Sequence, residues 1–312
     1  MIGQVDPAKS DVAGKEETLR RRSRFRTILF LVFLVGAGLW LRTIRSNGSL
    51  AILAKWTYSS ASITTLYFTD GSFLIPVSRT LNTTGNVALA SLNALLDGPR
   101  AASGLSNPVP GGIVIRSFHL ANGVAHIDLS KEFLAVANPS SQAVQAIIST
   151  MTAQPDIRSV VFSVEGSQLV PATPRIPLLY FASEIGLASI PVSAANPRAL
   201  LDRYMAGPPV GKLAGLPADV KLLGYDYNTT KQMVSLNFSY TPSIRILALE
   251  QPARMRFVLL GLIATLTDQP SVQSVRIDFE GKTQLGVGQC SDLLRTPQTK
   301  PTLLNDERLL GR

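Results

Sequence analysis

One cysteine, Cys290, and two histidines, His119 and His126, are all that this 312-residue chain holds of those residue types. A lone cysteine excludes an intramolecular disulfide and any cysteine-based metal cluster. Near the C-terminus it is also misplaced for the lipid-bearing cysteine that follows an N-terminal apolar segment, so it reads as an incidental thiol. Two histidines leave a metal site short of ligands, and the sequence places no further ones beside them. The reactive motifs are missing as well. No Gly-x-Ser-x-Gly elbow occurs. Gly207-Pro208-Pro209-Val210-Gly211-Lys212-Leu213 mimics a phosphate loop but is one residue short. Its prolines remove N–H donors, and Leu213 stands where a hydroxyl would hold magnesium. Gly286-Val287-Gly288 lacks the third glycine and following helix of a dinucleotide fingerprint. No cofactor and no metal are expected, and the chain reads as a non-enzyme.

Basic character is scarce outside one region. Residues 1–45 hold nine Lys/Arg and four acids, so +5 of the net +9 resides there. The rest has no basic helix and no arginine–aromatic platform, which argues against nucleic acid as a partner. Within the basic region Thr27 to Leu41 runs fifteen residues without a charge. Phe25 to Ile44 is long enough to span a bilayer with Arg26 and Arg42 snorkelling to the interfaces, and a transmembrane helix is expected over residues 27–44. Five arginines between Arg20 and Arg26 outweigh Arg42 and Arg45, which keeps residues 1–26 in the cytoplasm as a basic tail and puts the remainder outside. A cleaved signal peptide is the rival reading; Arg42 and Arg45 sit where its neutral cleavage region should be.

What the chain does contain is the same text twice. Leu66-Tyr67-Phe68 and Ile75-Pro76-Val77-Ser78 return as Leu179-Tyr180-Phe181 and Ile190-Pro191-Val192-Ser193. Leu96-Asp97-Gly98-Pro99 returns as Met205-Ala206-Gly207-Pro208, and Ile127-Asp128-Leu129-Ser130 as Leu236-Asn237-Phe238-Ser239. Thr150-Met151-Thr152-Ala153-Gln154-Pro155 returns as Thr265-Leu266-Thr267-Asp268-Gln269-Pro270. The offset drifts between 109 and 115 residues, the size of a small domain with variable loops. A linker over 45–61, domains over 62–172 and 173–288, and a tail over 289–312 follow.

Each copy is predicted to run β-β-α-β-β-α-β. Asn86 and Asn196-Pro197 start the first helix of each copy, and Gly-Pro stops it. Ala125, Ile127 and Leu129 alternate with His126 and Asp128; Val234, Leu236 and Phe238 alternate with Ser235 and Asn237. Period two with one polar face predicts a sheet covered on one side, mainly antiparallel. Further helices are expected over Gln142–Ala153 and Pro252–Asp268, and final strands with Val160, Phe162 and Val164, or Val275, Ile277 and Phe279, facing inward. The expected fold class is α+β: an N-terminal transmembrane helix, then two similar small domains, each with two helices on one face of a mixed, mainly antiparallel sheet.

These elements resemble the GerMN domain. The resemblance is carried by the Tyr-Phe strand leading to Ile-Pro-Val, the Leu-Leu-Asp-Gly-Pro helix end, Asn122 through Ser130, and the Thr-x-Thr-x-x-Pro run leading to Glu-Gly. It extends over Ile63 to Gly281 and implies an extracytoplasmic domain of bacterial sporulation, spore germination and cell-envelope proteins, without catalytic residues. Unlike the family's frequent lipoproteins, the chain has no cysteine at its apolar segment. Expected partners are the membrane and envelope or sporulation proteins, with peptidoglycan as an alternative. Docking is expected through sheet edges and half-polar faces. Candidate partner-facing residues are His126, Asp128, Arg276, Asp278 and Glu280 on outer strand faces. A glycan reading would use a cleft between the domains and Tyr225 and Tyr227 as stacking platforms, although their alternating spacing also fits half-buried strand positions.

Overall fold

Polar caps and glycine stops fix where the helices begin and end. In a computed structural model that describes residues 60–169, 172–282 and 290–310, α1 spans Val87–Leu96 and Asn86 Oδ1 accepts from the N–H groups of Ala88 and Leu89. In the second copy α3 spans Pro197–Met205, with Asn196 accepting from Ala199 N and Pro197 in the first turn. Such caps contribute about 1 kcal/mol each. Gly98 and Gly207, just past these helices, take left-handed φ values of 91° and 86°, as a helix stop requires. Ser141 caps α2, Gln142–Thr152. The second copy inserts α4, Pro242–Glu250, capped by Thr241, before α5, Pro252–Thr267.

The strands are β1 Ser60–Thr69, β2 Leu74–Thr83, β3 Ile115–Ala121, β4 Val124–Leu129 and β5 Ser159–Val164, followed by the short β6 Ser167–Gln168 and β7 Thr173–Pro174. The second copy supplies β8 Leu178–Ser183, β9 Gly186–Pro191, β10 Leu222–Asn228, β11 Met233–Phe238 and β12 Ser274–Phe279. A short helix α6, Asp292–Arg295, and β13, Gln298–Thr299, follow. Within each copy the later strands form one sheet: β3-β4-β5-β6, with β7 also on β5, and β10-β11-β12-β13. β4 is antiparallel to β3 but parallel to β5, and β11 repeats this between β10 and β12. Parallel neighbours need a crossover, which α2 supplies in the first copy and α4 with α5 in the second.

The opening hairpins do something else. β1-β2 and β8-β9 join into a single four-stranded sheet through β2 and β9, with Leu74 opposite Ser189. Helix α5 buries Met255, Val258, Leu259, Leu262, Ile263 and Leu266, each worth about 1.5–3 kcal/mol. It presses close enough on β8 that a Cβ on Gly261 would lie 2.4 Å from the Tyr180 carbonyl oxygen.

The α+β class holds, and the predicted element order holds in the first copy while the second adds α4; beyond that helix the expected architecture needs two corrections. Among the described residues no helix is long and apolar enough to cross a membrane; residues 27–44, expected to form one, lie outside those described. Nor does each copy keep one sheet of its own. Its hairpin leaves to pair with the other copy's hairpin, so the elements from Ala61 onward form one compact unit.

Candidate interaction surface

The polar side chains of the motifs shared by the copies bond to backbone groups. Thr150 Oγ1 accepts from Tyr67 N at 3.2 Å, and Thr265 Oγ1 accepts from Tyr180 N at 2.9 Å. Thr152 and Thr267 donate back to the Ile148 and Ile263 carbonyls within their helices. Ser130 Oγ accepts from Val114 N and Ser239 Oγ from Lys221 N, tying β4 and β11 to the start of their neighbours. Asp128 Oδ1 and Asn237 Oδ1 each accept from a glycine N–H, Gly166 and Gly281, at 2.9 Å. The preceding Glu165 and Glu280 take φ near 50°, and the Glu-Gly signature is the turn that this bond closes.

The predicted partner-facing residues therefore fall on two sheets with different duties. His126 is exposed and stands opposite His119 in register, with their rings 6.1 Å apart. Asp128 closes its turn and lies 3.5 Å from the Arg116 guanidinium, which also reaches Glu165 at 3.8 Å. In the second copy Arg276 Nε donates to Asp278 at 3.1 Å along one face of β12. Asp278 is mostly covered and its Oδ1 is buried without a partner. Glu280 accepts from Tyr240 N. Among the described residues no three His, Cys, Asp or Glu gather as a metal site.

Tyr225 and Tyr227 lie opposite Leu236 and Val234 on the core side of β10. Tyr227 donates to the Ser271 carbonyl at 2.6 Å, and the Arg198 guanidinium sits 5.2 Å from the Tyr225 ring centre. Both are half-buried and engaged, so neither offers a free platform to a sugar. The loop after α3 that mimics a phosphate site buries Leu213 and pairs Ala214 with the Ala182 backbone. It borders a cleft of about 420 Å³ with Ser183, Glu184, Lys212, Arg254 and Phe257 on its walls. Charges of both signs there give it no single preference.

The outer strands are the more distinctive surface. β3 and β10 end their sheets, and each carries a bulge, at Arg116 and at Leu223. Val114 and Leu223, beside these bulges, are 59% and 54% exposed. On α4, Ile246 and Leu249 add 50% and 67%. Bulges guard an edge against indiscriminate pairing, while exposed apolar side chains beside them retain a surface for a fitting partner.

Where the copies meet, Tyr67 and Tyr180 share a hydroxyl–hydroxyl bond of 2.8 Å. Burial, reinforced by nearby Asp268, raises both phenols well above their ordinary range. Arg175 donates to the Thr152 carbonyl at the end of α2 and to Asp268, which caps α5. It thus joins the negative ends of two helix dipoles. Lys300 reaches the same Asp268 oxygen at 3.0 Å. Nothing local in the sequence singles out Arg175 or Asp268, because the groups they meet lie more than twenty residues away along the chain.

Fold and site together define a duplicated α+β protein whose repeated polar motifs build the scaffold. Residues 65–170 and 178–285 match the family model described as Germane, sporulation and spore germination, and the chain belongs to that family. The tandem GerMN domains of the sporulation protein GerM from Bacillus subtilis align with 20% identity and a TM-score of 0.59, covering 79% of this chain and 99% of that one. The first of those domains alone matches at 20% identity and a TM-score of 0.31, covering 36% and 92%. No curated protein matches the chain.

Proposed function

We propose that this protein is a non-catalytic binding and assembly module of sporulation, germination or cell-envelope complexes, and that it works outside the cytoplasmic membrane. The observation that carries the reading is the pair of matching sheet edges, β3 and β10, with Val114 and Leu223 exposed beside their bulges. Two such edges held in one unit engage a repeated partner with raised effective concentration. The outer face bearing His126 with Asp128 lies on the strand next to β3, and the face bearing Arg276 with Asp278 and Glu280 lies one strand further in from β10, beyond β11; both give the partner a polar register. Family membership supports the sporulation or envelope setting. The charge asymmetry around residues 27–41 supports export.

Cross-linking in cells followed by identification of captured envelope proteins tests this, comparing the native chain with Val114→Lys/Leu223→Lys. A charge on each edge should abolish a specific cross-link while leaving the circular dichroism spectrum and melting temperature unchanged. Cross-links that persist undiminished would sink the edge assignment, and substrate turnover by the purified chain would sink the non-catalytic reading.

A further inference from the structure

The C-terminal segment enters the seam between the copies and is recognised there side chain by side chain. β2 and β9 pair at Leu74 and Ser189, and next to that pairing Pro76 has no N–H to give. The Asn305 amide fills the gap. Its Nδ2 donates to the Pro76 carbonyl at 2.6 Å and to the Leu187 carbonyl at 2.9 Å, while its Oδ1 accepts from Leu187 N at 2.8 Å. Gly186 makes the room: a Cβ there would lie 2.2 Å from Asn305 Oδ1. The main chain is held too, since Ser78 N donates to the Asn305 carbonyl at 2.7 Å and Leu304 N to Ser78 Oγ at 3.1 Å.

Two residues on, the Glu307 carboxylate is 1% exposed. Arg79 embraces it with Nε and Nη2, and the Arg100 N–H donates to it at 2.8 Å. The other donors of Arg79 hold the Ala94 and Gly98 carbonyls at the end of α1. Leu304 is 4% exposed, yet Leu303 before it is 50% exposed. Backbone bonds to a strand combined with pockets for particular side chains are how strand-adding peptides are recognised. Buried polar groups with this many dedicated partners reject a segment that lacks them.

We propose that this cleft is a peptide-binding site for a Leu-Asn-x-acidic segment, filled in cis by Leu304–Glu307, and that the same segment of a second copy fills it in trans. A second copy is the fitting occupant because exchange of an identical segment recreates every bond just named. The inference does not depend on the edge assignment above, since it uses neither β3 nor β10.

The test pairs full-length variants. Asn305→Ala/Glu307→Ala carries a dead tail and an open cleft, whereas Gly186→Ala carries an intact tail and a blocked cleft. Mixing them should give a heterodimer by light scattering that neither forms alone. A labelled peptide of residues 301–310 should bind the dead-tail chain at least about tenfold more tightly than the native chain, whose own tail competes at high effective concentration. The Glu307→Ala peptide should lose about tenfold or more. Absence of both the heterodimer and peptide binding in folded variants would overturn the proposal, as would equal binding of the altered peptide. A dead-tail chain that cannot fold would overturn it too, because a ligand can be lost without losing the fold.

Discussion

The first and second copies share their internal bonds and differ where they are fastened. Thr150 and Thr265, Ser130 and Ser239, and Asp128 and Asn237 hold matching groups at matching places. At the junction the match ends. Asp268 binds Arg175 and Lys300, whereas its counterpart in the repeat is Ala153. Gly261 lets α5 reach the Tyr180 backbone, whereas the corresponding residue of α2 is Ala146. Ser78 of the first Ile-Pro-Val-Ser is buried and holds the C-terminal segment, whereas its counterpart Ser193 in the second is exposed. Duplication retained what makes each copy fold, and divergence worked on what joins them.

Breaking the junction should cost most. Arg175→Met leaves the Asp268 carboxylate, 1% exposed and with one oxygen already unpartnered, facing Lys300 alone. A loss of about 3 kcal/mol is expected by urea unfolding, at the lower end for a broken buried pair because Arg175 is itself partly exposed. Next comes Gly261→Ala, whose methyl would meet the Tyr180 carbonyl. A destabilisation of about 2 kcal/mol is expected from overpacking, whereas Ala146→Gly in the first copy should cost only about 1 kcal/mol, the helix propensity difference. A Gly261→Ala variant as stable as the native chain would show that α5 can move away from β8. The last pair of substitutions sharpens the likeness instead. Thr150→Val and Thr265→Val each leave a buried tyrosine N–H without its acceptor, and each should cost about 1–2 kcal/mol. Equal melting shifts would confirm that the copies retain one internal design; a twofold disparity would show that one copy dominates stability.

Much of the fold was legible in the chain because its signals are local. Asn86 and Asn196 cap the helices that their positions predict, and the alternation through Ile127 and Leu236 marks the buried faces. The merger of the hairpins was not legible, since period two tells which face is buried and not which strand lies alongside. Helix α4 carries the same cap-and-proline signal, Thr241-Pro242, as Asn196-Pro197, but the repeat masks it, because the first copy has only a short 3₁₀ turn there, Lys131–Ala135. Asn305 and Glu307 were invisible for another reason. Polar residues in a terminal stretch read as solvated, and only their distant partners make them interior. Of the candidate surface residues, His126 is exposed as the alternation predicts, while Asp128 has a turn-closing duty that only the Asp128/Asn237 equivalence hints at.

The bond between the Tyr67 and Tyr180 hydroxyls joins two residues that are each other's counterpart. A group that touches its own equivalent is the signature of an isologous contact, the kind that builds a symmetric dimer. Written into one chain, such a contact no longer obeys mass action. A pair of separate subunits would come apart on dilution, but here the pairing survives at any concentration and both halves stay in register.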